Sequence, residues 1–194
     1  DENLDAIPRA GIIHRLDKET TGVLVVARTL ESHTILVNQL QKRDIKREYQ
    51  SIVCGQLTSG GSIENRMGRH PKQRTKMAVI NNGKIATTHY RIIKKYQHYT
   101  HLHVQLETGR THQIRVHMSH IKHPIVGDPV YGNNKSIRKG VDSSLRDYIL
   151  NFNRQALHAF SLELTHPVSK EEMKFVAKLP DDIRVLVGAL NDYD

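Results

Sequence analysis

LHVQLETGRTHQIRVHMSHIKHP, residues 102–124, decides the class of fold. In its first part Leu102, Val104 and Leu106 alternate with His103 and Gln105, the period of a strand with one packed face and one wetter face. Beyond Gly109 the spacing changes. Over residues 111–121, Ile114, Met118 and Ile121 recur at helical spacing, and His123-Pro124 closes the segment. Working outward, residues 85–95 pair with 102–106 as a hairpin across Gln97 and His98. Ile12 and Ile13 begin a strand, residues 22–27 (GVLVVA) read as a buried strand, and 48–53, 160–164 and 173–179 read as further strands. Helices are expected over 30–43, with Leu30, Val37 and Leu40 on one face, and over 181–190. Residues 132–147 read as a loop whose Lys135, Arg138 and Lys139 are free to meet phosphate. Many short strands with interspersed helices predict an α+β fold.

The chain has 194 residues, enough for one domain with a real core. No apolar run approaches the roughly 20 residues of a membrane span, and the acidic N-terminus is not a signal peptide. Cys54 is the only cysteine, which excludes an internal disulfide and a cysteine-based zinc site and suits the reducing cytoplasm. It lies in SIVCG, where a small hydrophobe is expected rather than a nucleophile. His112, His117, His120 and His123 are spaced for metal binding, yet HExxH is absent; no metal is expected.

Net charge is +9, which favours an anionic partner, nucleic acid before membrane. The charge is unevenly spread, for no Asp or Glu lies between Glu64 and Glu107. The densest cationic part, NRMGRHPKQRTK (residues 65–76), is read as a loop on which Arg66, Arg69, His70 and Arg74 follow RNA phosphates.

HRLDKETTGVLVVA (14–27), REYQSIV (47–53) and LETGRTHQIRVHMSHIKHPIVGDPVYG (106–132) stand out as long, unusual strings. Asp17 follows an apolar stretch, between Arg15 and Lys18, in a turn rich in Thr and Gly. Gly109 permits a sharp turn that makes Arg110 a candidate partner for it. Together these motifs resemble those of the RluA-type pseudouridine synthases, over nearly the whole chain. The resemblance implies a mixed, mainly antiparallel sheet with flanking helices and a central RNA-binding cleft. It implies isomerisation of uridine to pseudouridine, in a stem-loop of bacterial 23S ribosomal RNA, by a cytoplasmic enzyme without cofactor, expected to be a monomer.

The same resemblance makes Asp17 the reacting carboxylate, pairs it with Arg110, and stacks Tyr49 on the flipped base, with a possible part in removing the C5 proton. An aliphatic residue should press on that base, with Ile114 and Ile125 both qualifying. Arg15 would fill the gap left in the RNA stack. His14, Lys18, Thr21, Thr111, His112, Gln113 and Arg115 complete the expected RNA contacts. Residues 1–194 are read as one catalytic domain, 1–8 being the remnant of a linker from an absent N-terminal RNA-binding domain. Two rival readings are a nucleoside or glycoside hydrolase, with Glu19 or Glu107 as the second acid, and a non-catalytic RNA-binding module.

Overall fold

The hairpin expected at residues 85–106 forms the middle of the molecule. In the computed structural model, which describes residues 6–132 and 141–193, β5 (Lys84–Lys95) and β6 (Tyr99–Leu106) pair from Thr88↔Leu106 to Lys95↔Thr100. The other strands are β1 (Thr21–Gly22), β2 (Lys46–Cys54), β3 (Gly61–Arg69), β4 (Met77–Val79), β7 (Leu157–Thr165) and β8 (Glu172–Val176). They form one sheet of order β1-β7-β2-β6-β5-β3-β4, and β8 also pairs with β7. The β1–β7 pairing is parallel; the others are antiparallel. The helices are α1 (Leu30–Lys42), α2 (Gln113–His120), α3 (Ser143–Leu150) and α4 (Asp181–Asp192).

The main core lies on the sheet face that carries Tyr49, Leu102, Val104 and Leu106, and α4 adds Ile183, Leu186 and Leu190 to it. Burying such a side chain is worth roughly 1.5–3 kcal/mol. A smaller core, of Ile13, Ala27, Leu36, Ile45, Leu162 and Leu164, lies under α1. That helix starts where Thr29 Oγ1 accepts from Ser32 N and stops at Arg43, which has left-handed φ/ψ. Leu36 is its buried side chain, with Val37 and Leu40 partly buried; Leu30 is exposed, contrary to the expected face.

Four readings of local structure need correction. Residues 22–27 are not a buried strand. Only Thr21 and Gly22 join the sheet, and the chain then turns away, with Ala27 N donating to Gly11 O. Leu24 and Val26 are each 43% exposed, while Val23 and Val25 pack inward. Ile12 makes one isolated bridge, to Val26, and no longer strand. The cationic run is a β-hairpin rather than a free loop: residues up to Arg69 lie in β3, and only 70–76 form its tip. Part of the expected loop at 132–147 is helical, α3 beginning at Ser143 behind the Asp142 cap. Lys135, Arg138 and Lys139 lie outside the described residues, as do residues 1–5 of the expected linker; Ile7 is buried.

Candidate active site

Asp17 sits where the chain reverses before β1. Thr20 N donates to Asp17 O, and Glu19 takes up left-handed φ. The turn is pinned from the segment before β7. Gln155 Nε2 donates to Lys18 O (2.7 Å) and Thr20 Oγ1 (2.9 Å), and Arg154 Nη1 donates to Glu19 O (3.0 Å). Arg154 is itself held by both carboxylate oxygens of Asp182 on α4, at 2.6 and 2.8 Å. Gly22 is required next. Its φ is +121°, and a Cβ there would meet Ala159 O at 2.1 Å, so the parallel pairing with β7 admits no side chain. Neither Gln155 nor Arg154 was singled out from the sequence, because nothing local marks a residue that acts on a turn more than 130 positions away.

Arg115, not Arg110, lies against the Asp17 carboxylate. Its Nη1 is 3.5 Å from Asp17 Oδ2, while its Nε and Nη2 donate to Asp128 Oδ2 (2.7 Å) and Oδ1 (2.8 Å). The side chains of Asp17, Arg115 and Asp128 are 13%, 5% and 0% exposed. Burial opposes the charge on Asp128, but hydrogen bonds from Arg115 and from Tyr131 N and Val130 N outweigh it and hold the carboxyl below the usual range. Arg110 occupies the turn after Gly109. It is exposed, its Nε donates to Ile85 O (3.1 Å), and it faces the rim of the same cavity. The physical reason for the correction is helix phase: Arg115 follows the inward Ile114 on α2, whereas Arg110 precedes the helix.

That cavity has a volume of about 480 Å³ and is walled by Asp17, Tyr49, Arg47, Leu157 and the 106–110 turn. Tyr49 projects from β2 beside a register shift against β7 between Glu48 and Tyr49, an irregularity that re-aims side chains. Burial pushes its hydroxyl up to about 12, Arg47 opposing and Asp17 reinforcing the shift. Of the two aliphatic candidates, Ile114 lines the cavity, whereas Ile125 is buried and bridges Val53. His14 also lines it. Its Nε2 accepts from Val25 N (3.3 Å), and burial, then the charge of Arg47, lowers it to about 4, so it is neutral at pH 7.

Among the expected RNA contacts, Arg15 and Lys18 are exposed, Arg15 on the cavity rim, and Thr111 is half-buried. Thr21 Oγ1 bonds His158 Nδ1 (2.8 Å). Gln113 is spent inside the protein. Its Oε1 accepts from Thr108 Oγ1 and Arg110 N, and its Nε2 donates to Thr87 O and Thr88 Oγ1. Gln113 and Arg115 are both buried, and Gln113 also lines the cavity. His112 Nδ1 bonds Tyr131 Oη (2.8 Å), which also accepts from Met77 N (2.8 Å), where β4 leaves the tip of the β3–β4 hairpin. Arg66, Arg69, His70 and Arg74 lie on that hairpin, outside the cavity wall. The closely spaced histidines go to separate partners, His117 to Thr88 Oγ1 and His123 to Cys54 O. Glu107 is engaged by Arg43 (2.6 Å) and His89 (2.6 Å), and Glu19 is exposed in its turn. Among the described residues no helix is long and apolar enough to cross a membrane.

A family model described as RNA pseudouridylate synthase matches residues 2–120. Ribosomal large subunit pseudouridine synthase D of Pseudomonas aeruginosa is 54% identical over 184 residues, 95% of this chain and 58% of that protein. The protein of the same name from Xanthomonas campestris is 52% identical over 192 residues (99% and 58%), and that from Escherichia coli 51% identical over 184 (95% and 56%). The chain therefore spans somewhat more than half the length of these relatives. The structure of human RNA pseudouridylate synthase domain containing 4 superposes with a TM-score of 0.75 at 26% identity, covering 93% of this chain and 75% of that one.

Proposed function

The chain belongs to the RNA pseudouridylate synthase family, and from that premise we propose that it isomerises uridine to pseudouridine in large-subunit ribosomal RNA, with Asp17 as the reacting carboxylate. One arrangement carries the reading: a carboxylate largely withdrawn from water, beside a buried guanidinium, at the wall of a cavity that a tyrosine also lines. In the reaction the N1–C1′ bond breaks, uracil turns, and C5 bonds to C1′; C5 loses a proton and N1 gains one. No atom of the base is lost, so no group need be supplied from elsewhere. The Asp17 carboxylate reaches the sugar either at C1′ as nucleophile or at the C2′ proton as base, with the Arg115 guanidinium beside it at 3.5 Å.

Acting on one base of a folded RNA requires that base to leave its stack, at a cost of roughly a few kcal/mol. Tyr49 and Ile114 offer a ring and an aliphatic wall to the extruded uracil, and Arg15 at the exposed rim offers a planar group to the gap it leaves. Pushed up to about 12 by burial, the Tyr49 hydroxyl stays protonated at neutral pH and is not poised to take a proton, so stacking is the part of its role best supported. A hydrolase would need a second carboxylate aimed at water, and Glu107 is committed to Arg43 and His89.

The test is Asp17→Asn. Tritium release from RNA labelled at uracil C5 should fall to background, while RNA binding stays within a few-fold of wild type. Normal release by this variant would refute the assignment, and free uracil in the wild-type product would mean hydrolysis instead.

A further inference from the structure

We infer that Arg47 is the phosphate ligand of this cavity, its guanidinium holding the phosphate of the nucleotide whose base enters; the inference rests on the proposed function above. Arg47 projects from β2 and is 6% exposed. A guanidinium does not discharge at any ordinary pH, and burying one without a counter-ion is costly. Yet among the described residues Arg47 forms no ion pair with a carboxylate. Its one hydrogen bond is long, from Nη2 to the main-chain Glu107 O at 3.3 Å, and its Nε is buried without a partner.

Arg115 is held quite differently. Both arginines are buried, but Arg115 has a bidentate Asp128 and a nearby Asp17, whereas Glu107, the acid whose main chain Arg47 touches, has its carboxylate already taken. Glu107 gives Oε2 to Arg43 and Oε1 to His89, leaving Arg47 only a carbonyl. Room has been kept for this charge. A Cβ on Gly109 would stand 2.6 Å from Arg47 Nη1, so any other residue there would displace the guanidinium. Side chains two apart on a strand share a face and are separated by roughly 6–7 Å. That is comparable to the distance from a nucleotide's base to its own phosphate, so a base on Tyr49 brings its phosphate towards Arg47. His14 adds no second charge at neutral pH, being lowered to about 4 by burial and by Arg47.

The test uses this chain and stem-loops transcribed from large-subunit ribosomal RNA, taking one that the wild-type protein converts. If none is converted, the proposed function fails and the phosphate assignment falls with it. With a converted stem-loop, RNA affinity is measured across a salt series. Arg47→Gln should reduce the slope of log affinity against log salt by about 0.7, one single-strand phosphate contact, and weaken binding by about tenfold or more. Arg47→Lys should restore the slope and only part of the affinity, since a point charge replaces a fork. Arg184→Gln, on α4 outside the cavity, should change neither. A folded Arg47→Gln protein with the wild-type slope overturns the inference and reduces Arg47 to a brace for the Glu107 carbonyl. If that variant does not fold, the wild-type protein decides. Its Arg47 Nε–H resonance, assigned with Arg47→Lys, should move on titration with uridine 5′-monophosphate and not with uridine. An equal response to both, or to neither, rejects the assignment.

Discussion

The floor beneath Asp17 and the β3–β4 hairpin are both rich in charge, and they use it in opposite ways. Under Asp17 the charged groups are spent on one another: the buried Arg115 on the buried Asp128, and the part-buried Arg154 on the more exposed Asp182. On the hairpin, Arg66, Arg69, Lys72 and Arg74 are exposed, and among the described residues none forms an ion pair with a carboxylate. Arg66 and Arg69 reach only carbonyls, of Gly83 and Arg74, at 3.3 Å each. A reacting carboxylate must be held to fractions of an ångström, which needs a rigid surround. Following a flexible polyanion needs charge still open to solvent and counter-ions. Neutralising a charge should therefore unfold the first region and merely weaken binding in the second.

The largest effect is expected at Asp128. Asp128→Asn keeps the shape but leaves the buried Arg115 without its main counter-ion, and breaking such a pair costs roughly 3–5 kcal/mol. Urea unfolding should register that loss, and pseudouridine formation should fall even where the protein remains folded, because Arg115 would no longer be fixed relative to Asp17. A change below about 1 kcal/mol would mean that the floor is not braced by this pair, and the contrast with the hairpin would be lost.

Acid should expose the same contrast. Burial lowers His14, His101 and His117 from 6.5 to about 4. Each is therefore neutral when folded and protonates more readily when unfolded. The stability this represents is complete above pH 6.5 and is lost as the pH falls through about 4, at most roughly 3 kcal/mol per histidine. Asp128, held below its ordinary value, adds a further loss in the same direction at still lower pH. Urea midpoints measured from pH 7.5 to 4 should fall steadily, and His117→Gln should flatten the profile. A flat wild-type profile would show that these histidines are not held neutral by the packed region.

Much of this layout was legible because periodicity reports burial. The alternation at 102–106 and the helical spacing at 181–190 both lie where they were read. Asp17 stands out by its motif, and its side chain lies at the cavity wall. The failures share a cause: partners distant in sequence. GVLVVA is rich in β-branched residues, but its inward side chains meet α1 and the 11–13 segment rather than sheets on both sides, so it half-buries instead of joining the sheet. Arg110 and Arg115 flank one turn. Only the inward phase of Ile114 and Met118, continued to its neighbour, hinted that Arg115 was the buried one. Gln155 and Arg154 carry no local sign of their role, since the turn they pin is brought to them by the β1–β7 pairing.

The smallest effects should come from the hairpin. Arg69→Gln and Arg74→Gln each remove an exposed charge whose own hydrogen-bonding geometry constrains little, so stability should change by no more than about 0.5 kcal/mol. Each should lower the salt slope of RNA binding by about 0.7 if its partner phosphate lies on a single strand and about 0.9 if on a duplex, and raise KM several-fold with kcat intact. The hairpin is nonetheless tied to the site just behind its tip, since Tyr131 Oη joins Met77 N to His112 and the Tyr131 ring lies 5.1 Å from the Arg115 guanidinium carbon. That tie aims the hairpin relative to the cavity without placing its charges inside it. A fall in kcat at unchanged KM in either variant would therefore dissolve the division, because the tip would then reach the reacting nucleotide itself.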